Sequence, residues 1–102
     1  QDMIEKHLEE DKIATMGVTS KDEPDRYGNA LISGDYIVDF KEKPDESLSY
    51  NVNAGVYIFK PEVFPLFEDD TSSLEKEIFP KLADMKQLVP YFISESFIHV
   101  ED

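Results

Sequence analysis

The sequence predicts an α/β fold with a mixed, largely antiparallel sheet and flanking helices, and three observations predict it. Short runs rich in β-branched and aromatic residues recur along the chain, parted by Gly, Pro and Asp. Residues 3–11 and 72–85 instead carry apolar side chains at helical spacing. Gly34-Asp35 is a turn signal between two of the short runs, which joins them as an antiparallel hairpin. With 102 residues, the chain is one domain or a piece of one.

Taken in order, residues 3–11 read as the end of a helix, with Met3, Ile4, His7 and Leu8 on one stripe and Glu5, Lys6, Glu9 and Glu10 around the rest. Residues 13–18 form a buried strand, and residues 20–28 a loop punctuated by Pro24 and Gly28. Residues 30–32 and 36–40 are the hairpin strands, with Tyr36, Val38 and Phe40 expected on one face. Residues 41–49 are a charged loop around Pro44. Residues 52–59 form the strongest strand, whose interior Gly55 marks a bulge or a close approach. Pro61 opens a short helix that Pro65 limits. Ser72 and Glu75 match a capping box, followed by Leu74, Ile78, Leu82 and Met85. Pro80 interrupts that pattern. An interior Pro costs about 3 kcal/mol, so two short helices or a kink are expected there. Residues 89–93 and 97–100 close the chain as strands.

Composition narrows the partners. Hydrophobic residues make up 40% and aromatics 12%, enough for a core. A formal net charge of -13 repels DNA, RNA and anionic lipid, which argues against a nucleic-acid or membrane-surface role. It leaves room for a phosphate-bearing ligand held by a local lysine. Without cysteine there are no disulfides, thiolate metal sites or Cys nucleophiles, and a cytoplasmic setting fits. No apolar run reaches the length of a membrane span, and a start at Gln1 without signal-peptide character reads as an excised or truncated piece.

Three short motifs carry the chemistry, each weak alone. In Arg26-Tyr27-Gly28 the glycine lets main chain approach a ligand, although a plain turn explains it as well. In Lys41-Glu42-Lys43-Pro44 the proline holds Lys43 extended, so that Glu42 and Lys43 point apart. A carboxylate then accepts from hydroxyls while an ammonium meets a phosphate. In Asn53-Ala54-Gly55 a polar residue sits within an apolar strand and needs partners, and the small pair beside it leaves space. His7 and His99 read as ordinary structural histidines.

In this order, these segments resemble the family of sugar-1-phosphate nucleotidyltransferases that make nucleotide sugars, among them mannose-1-phosphate guanylyltransferases and glucose-1-phosphate thymidylyltransferases. The resemblance runs through RYG at 26–28, DYIVDFKEKP at 35–44, NAGVYIF at 53–59, SLEKEIFPKLA at 73–83 and SFIHVED at 96–102. It implies a Rossmann-like nucleotide-diphospho-sugar transferase domain, of which residues 1–102 are the sugar-phosphate-binding portion. It also implies substrate-binding roles for Gly28, Glu42, Lys43, Asn53 and Gly55, with Lys43 meeting the sugar phosphate and acting catalytically. The partners would be a sugar-1-phosphate and an NTP, with Mg²⁺ in the intact enzyme.

Two departures qualify what carries over. Nothing in the chain resembles the family's Gly-rich nucleotide loop, so this portion alone is expected to be inactive. Where the family ends on a metal-binding Asp and a Gly, this chain has His99 and Glu101. Imidazole suits oxygen-preferring Mg²⁺ poorly, so either Glu101 or Asp102 substitutes or the metal site is lost, and none is assigned within the chain. The alternative is a non-catalytic regulatory or scaffolding homologue. Strands left without neighbours would associate through sheet edges, with a homodimer as one form.

Overall fold

The computed structural model describes residues 2–67 and 73–94. The order is α1 (Met3–Glu10), β1 (Ala14–Ser20), a 3₁₀ turn (Pro24–Arg26), β2 (Asn29–Ser33), β3 (Tyr36–Lys41), β4 (Asn51–Phe59), a second 3₁₀ turn (Pro61–Leu66), a π-helical turn (Leu74–Ile78), α2 (Phe79–Asp84) and β5 (Leu88–Phe92). The strands form one sheet in the order β3-β2-β4-β1-β5. Among the described residues only β1 and β5 run parallel; the other neighbours are antiparallel. This is the mixed, largely antiparallel sheet that the sequence predicts.

The sheet is covered on both faces, which is why the interior strand β1, between β4 and β5, is buried along all but its last residue. On one face Ala14, Met16, Val18, Ala30, Ile37 and Phe40 pack against Ile78, Phe79, Leu82 and Ala83. Phe79 is the hub. Phe40 meets it edge-on with ring centroids 5.4 Å apart, and Tyr57 leans on it at 4.9 Å. On the other face α1 is held by His7, whose Nδ1 lies 2.8 Å from Thr15 Oγ1. Lys6 Nζ also donates to the Pro90 carbonyl at 2.6 Å.

These bonds set the rotation of α1 differently from its apolar stripe. In place of the end of a helix, Met3–Glu10 is a helix with a start of its own, closed there by a reciprocal Asp2–Glu5 capping box and at its end by Asp11 in the left-handed region. Yet His7 is the buried residue, while Ile4 and Leu8 are 62% and 70% exposed. Ile4 faces a groove of about 650 Å³ whose lining also includes Met3, Val56, Ile58, Tyr91 and Phe92.

Two bulges re-aim the strands. Leu31 pairs with Asp39 and Ile32 with Ile37, so Val38 is an extra residue in β3. The bulge breaks the alternation that would have put Tyr36, Val38 and Phe40 on one face. Ile37 and Phe40 are the buried pair instead. In β4 the bulge falls where Gly55 predicts it: Met16 pairs with Tyr57 and Val18 with Asn53, leaving 54–56 opposite Gly17. Gly55 has φ +83°, a conformation that a side chain resists.

Ahead of Pro80 the helix widens into a π-helical turn in place of dividing in two. Ile78 N–H bonds to Ser73 O at 3.2 Å and Phe79 N–H to Leu74 O, each five residues back, and Ile78 and Phe79 both keep right-handed helical angles, so the chain runs on into α2. The wider turn lies where the proline N–H is missing. Ser73 caps this element by accepting from Lys76 N–H at 3.3 Å, so the cap expected at Ser72 is displaced by one residue, and Ser72 itself lies outside the described residues. Met85, the last member of the expected apolar spacing, follows the helix end and is 48% exposed.

Candidate functional site

The bulge in β4 and the start of β2 bring three of the sequence-predicted residues into contact. Asn53 N–H donates to the Gly28 carbonyl at 2.9 Å, which extends the β2–β4 pairing. The Asn53 side chain is fixed at both ends. Its Oδ1 accepts from Gly55 N–H at 2.7 Å, and its Nδ2 donates to Tyr57 Oη at 2.6 Å and to Glu75 Oε2 at 3.2 Å. The polar residue in the apolar strand therefore finds the partners that its burial demands.

Gly28 is buried, and its lack of a side chain is a packing requirement. A Cβ there would lie 2.4 Å from Phe40 Cζ and 2.8 Å from Glu75 Oε2. The loop before it is pinned by Asn29, fully buried, whose Nδ2 donates to the Pro24 carbonyl at 2.8 Å and the Tyr27 carbonyl at 3.1 Å. Asn29 Oδ1 accepts from Leu48 N–H at 2.9 Å, tying the 20–28 loop to the 42–50 loop.

Glu42 and Lys43 lie on that second loop. Lys43 N–H donates to the Tyr27 carbonyl at 3.2 Å, continuing the β2–β3 pairing by one more bond. The expectation of an extended Lys43 is wrong: its φ is +42°, in the left-handed region. A residue that precedes a proline is kept out of the right-handed helical basin, and the bond to Tyr27 followed by the turn toward β4 selects the left-handed one. Glu42 is half-buried and Lys43 is exposed. Glu42 Oε1 lies 4.0 Å from Lys76 Nζ. Among the described residues the Lys43 ammonium has no partner.

Sequence reasoning missed Glu75 and Tyr57. Glu75 was absorbed by the capping-box pattern, but Ser73 caps through its own hydroxyl and the Glu75 carboxylate turns to Asn53. Tyr57 lies four residues from Asn53 in a strand, and the bulge between them decides how the two side chains meet. Burial holds the Tyr57 phenol above its usual range; the hydrogen bond from Asn53 opposes this and the Glu75 charge adds to it. Tyr57 is thus a neutral donor at ordinary pH.

Beside Gly28 a cleft of about 230 Å³ is lined by Lys21, Asp22, Glu23, Arg26 and Tyr27, with Lys21 Nζ 5.5 Å from the Tyr27 ring centre. The larger apolar groove touches none of the predicted residues. Among the described residues no three His, Asp or Glu side chains come together to hold a metal. His99, Glu101 and Asp102 lie outside them. Among the described residues no helix is long and apolar enough to cross a membrane.

Comparison with known proteins gives the site its context. The mannose-1-phosphate guanylyltransferase catalytic subunit beta of Drosophila pseudoobscura pseudoobscura is 40% identical over 87 residues, 84% of this chain and 24% of that protein. The mannose-1-phosphate guanyltransferase of Saccharomyces cerevisiae is 41% identical over 80 residues, 76% of this chain and 22% of that protein. The chain thus spans about a quarter of the length of these relatives. A solved structure described as a putative glucose-1-phosphate thymidylyltransferase from Bacillus anthracis, in complex with sucrose, shares the fold. Its TM-score is 0.65 at 23% identity, and the match covers 92% of this chain and 42% of that one. Residues 1–97 match the family model for nucleotidyl transferases. The chain belongs to the nucleotidyl transferase family.

Proposed function

We propose that residues 1–102 form the sugar-phosphate-binding portion of a sugar-1-phosphate nucleotidyltransferase that works in nucleotide-sugar synthesis. The observation that carries this is convergence. Gly28, Asn53 and Gly55 share one hydrogen-bonded cluster, and the loop bearing Glu42 and Lys43 is tied to Tyr27 next to it. In a chain of net charge -13, a lysine without a partner among the described residues is the group to meet a phosphate. Glu42, Asn53 and the Gly28 main chain would serve sugar hydroxyls.

In the reaction, a phosphate oxygen of the sugar-1-phosphate attacks the α-phosphorus of an NTP, and pyrophosphate leaves as that P–O bond breaks. Two anions must meet, so neutralisation and positioning dominate the chemistry. Lys43 would supply part of the neutralisation. Mg²⁺ supplies further charge in such reactions, but the described residues offer it no cluster, and the roles of Glu42, Lys43 and Asn53 do not depend on one. The name of the Drosophila relative specifies a catalytic subunit, which favours an enzyme over a scaffolding homologue. The lack of cysteine supports a cytoplasmic setting.

Titration calorimetry with α-mannose 1-phosphate and α-glucose 1-phosphate tests the site. Lys43→Ala is expected to weaken binding about 10- to 100-fold, the range for losing a hydrogen bond to a charged group. Equal binding by wild type and variant would remove the phosphate assignment. Pyrophosphate release from NTP and either sugar phosphate is expected to be absent with the 102-residue chain alone, and turnover would disprove its dependence on further structure.

A further inference from the structure

We propose that Pro44 is a positioning residue for Lys43: by closing the right-handed helical basin to Lys43 it fixes a left-handed backbone there, and that backbone aims the ammonium at the phosphate. This rests on the sugar-phosphate reading above. It assigns a residue which that reading does not use.

Among the described residues, the ones other than glycine with positive φ are Asp11 at +54°, Lys43 at +42° and Lys86 at +58°. Asp11 caps the end of α1 and Lys86 follows the end of α2, where left-handed backbone is an ordinary way to stop a helix. Lys43 stops no helix. It follows β3, on the loop that leads to β4. Backbone held in a sparsely populated region persists only where its surroundings over-determine it, and it gathers at ligand clamps. A glycine would hold the same conformation without strain, but it would bring no ammonium.

Ties at both ends of the loop set the backbone. Lys43 N–H donates to the Tyr27 carbonyl at 3.2 Å. Further on, Leu48 N–H donates to Asn29 Oδ1 at 2.9 Å, and Ser49 Oγ donates to the Ala30 carbonyl at 2.6 Å. Only residues 44–47 link these ties, so the chain must turn back at once, and an extended Lys43 would carry it away from Asn29. Either helical basin can make such a turn. In an L-residue the left-handed basin is disfavoured about 5- to 30-fold against the right-handed one. The proline ring removes that competitor by clashing with the right-handed form of the residue before it. Pro44 is half-buried and Lys43 exposed, so the ring is held in place while the ammonium stays open to a ligand. The tie to Tyr27 sets Lys43 beside Gly28, whose carbonyl accepts from Asn53 N–H.

The test is a double-mutant cycle, in which α-mannose 1-phosphate is titrated into wild type, Pro44→Ala, Lys43→Ala and the double variant. In Pro44→Ala the right-handed basin opens and the aimed conformer becomes the minor one, so binding is expected to weaken about 5- to 30-fold. In the Lys43→Ala background the same change at residue 44 is expected to alter binding by less than about 2-fold. Equal losses in both backgrounds, or no loss in either, overturn the positioning role. Binding is the readout because a proline-to-alanine change also loosens the unfolded chain and shifts stability by itself. The backbone is checked separately by urea unfolding: Lys43→Gly is expected to have a higher midpoint than Lys43→Ala, since glycine accepts positive φ. An equal or lower midpoint overturns the left-handed requirement. If Pro44→Ala does not fold, Pro44→Val, which keeps apolar bulk at this half-buried position, carries the cycle with the same expected and overturning results. A wild type that binds no sugar phosphate, or a Lys43→Ala that binds it as tightly as wild type, overturns the sugar-phosphate reading itself. A cycle in which Lys43→Ala weakens binding and the two changes simply add overturns the role of Pro44 alone.

Discussion

At the scale of single residues, the site is set by where side chains are missing as much as by where they are present. Gly28 shows this. Residue 28 begins the segment that pairs with β4, and the Phe40 ring and the Glu75 carboxylate fill the volume that a methyl group would need. Gly28→Ala is therefore expected to destabilise the chain by about 1–3 kcal/mol, the usual cost of overpacking, as measured by urea unfolding. A change within error would mean that Phe40 and Glu75 move freely. Gly55 differs, since nothing lies within 4 Å of where its Cβ would be and only its positive φ resists a side chain. The glycines are legible in the sequence as punctuation, but the reason for each differs and depends on what folds beside it.

At the scale of elements, α1 depends on one buried imidazole. His7 is 5% exposed and paired with Thr15, and its pKa is lowered chiefly by burial, then by the Lys60 charge, with Asp11 opposing. Lys60 is itself ion-paired to Asp11 at the C-terminal cap of α1. A depressed histidine pKa means that the unfolded chain takes up the proton first, so stability is complete above the ordinary histidine value of about 6.5 and falls as pH drops through it. Asp11, whose pKa is also lowered, acts only in the lower carboxylate window. Denaturant unfolding at about pH 7.5 and about pH 5.5, on either side of that value, is expected to show a larger loss for wild type than for His7→Gln. Parallel loss in both would place the acid sensitivity elsewhere. Helical spacing correctly locates α1 and misjudges its face, because two hydrogen bonds to β1 and β5 outweigh the burial of Ile4 and Leu8.

At the scale of the molecule, β5 is the last strand of the sheet among the described residues and lies beside an apolar groove, where Ile4 and Phe92 are exposed. Exposed apolar surface of this kind favours association. The chain is expected to self-associate with rising concentration in sedimentation velocity, and Phe92→Lys to shift the equilibrium toward monomer. A wild type that stays monomeric at high concentration would refute this.

What the sequence by itself determined is the kind of structure and the family: strands from β-branched runs, a hairpin at Gly34-Asp35, a bulge at Gly55, a helix irregular near Pro80, and the residues that carry the family resemblance. These are local properties of backbone and composition, or patterns of residue type in order. Only the tertiary structure decided what meets what. The Val38 bulge shifts a register that alternation alone cannot reveal, Lys43 adopts a positive φ because Tyr27 holds its amide, and Glu75 leaves the cap to join Asn53. Each is a long-range contact whose geometry overrides a local preference of about 1 kcal/mol, and such contacts exist only once the sheet has formed.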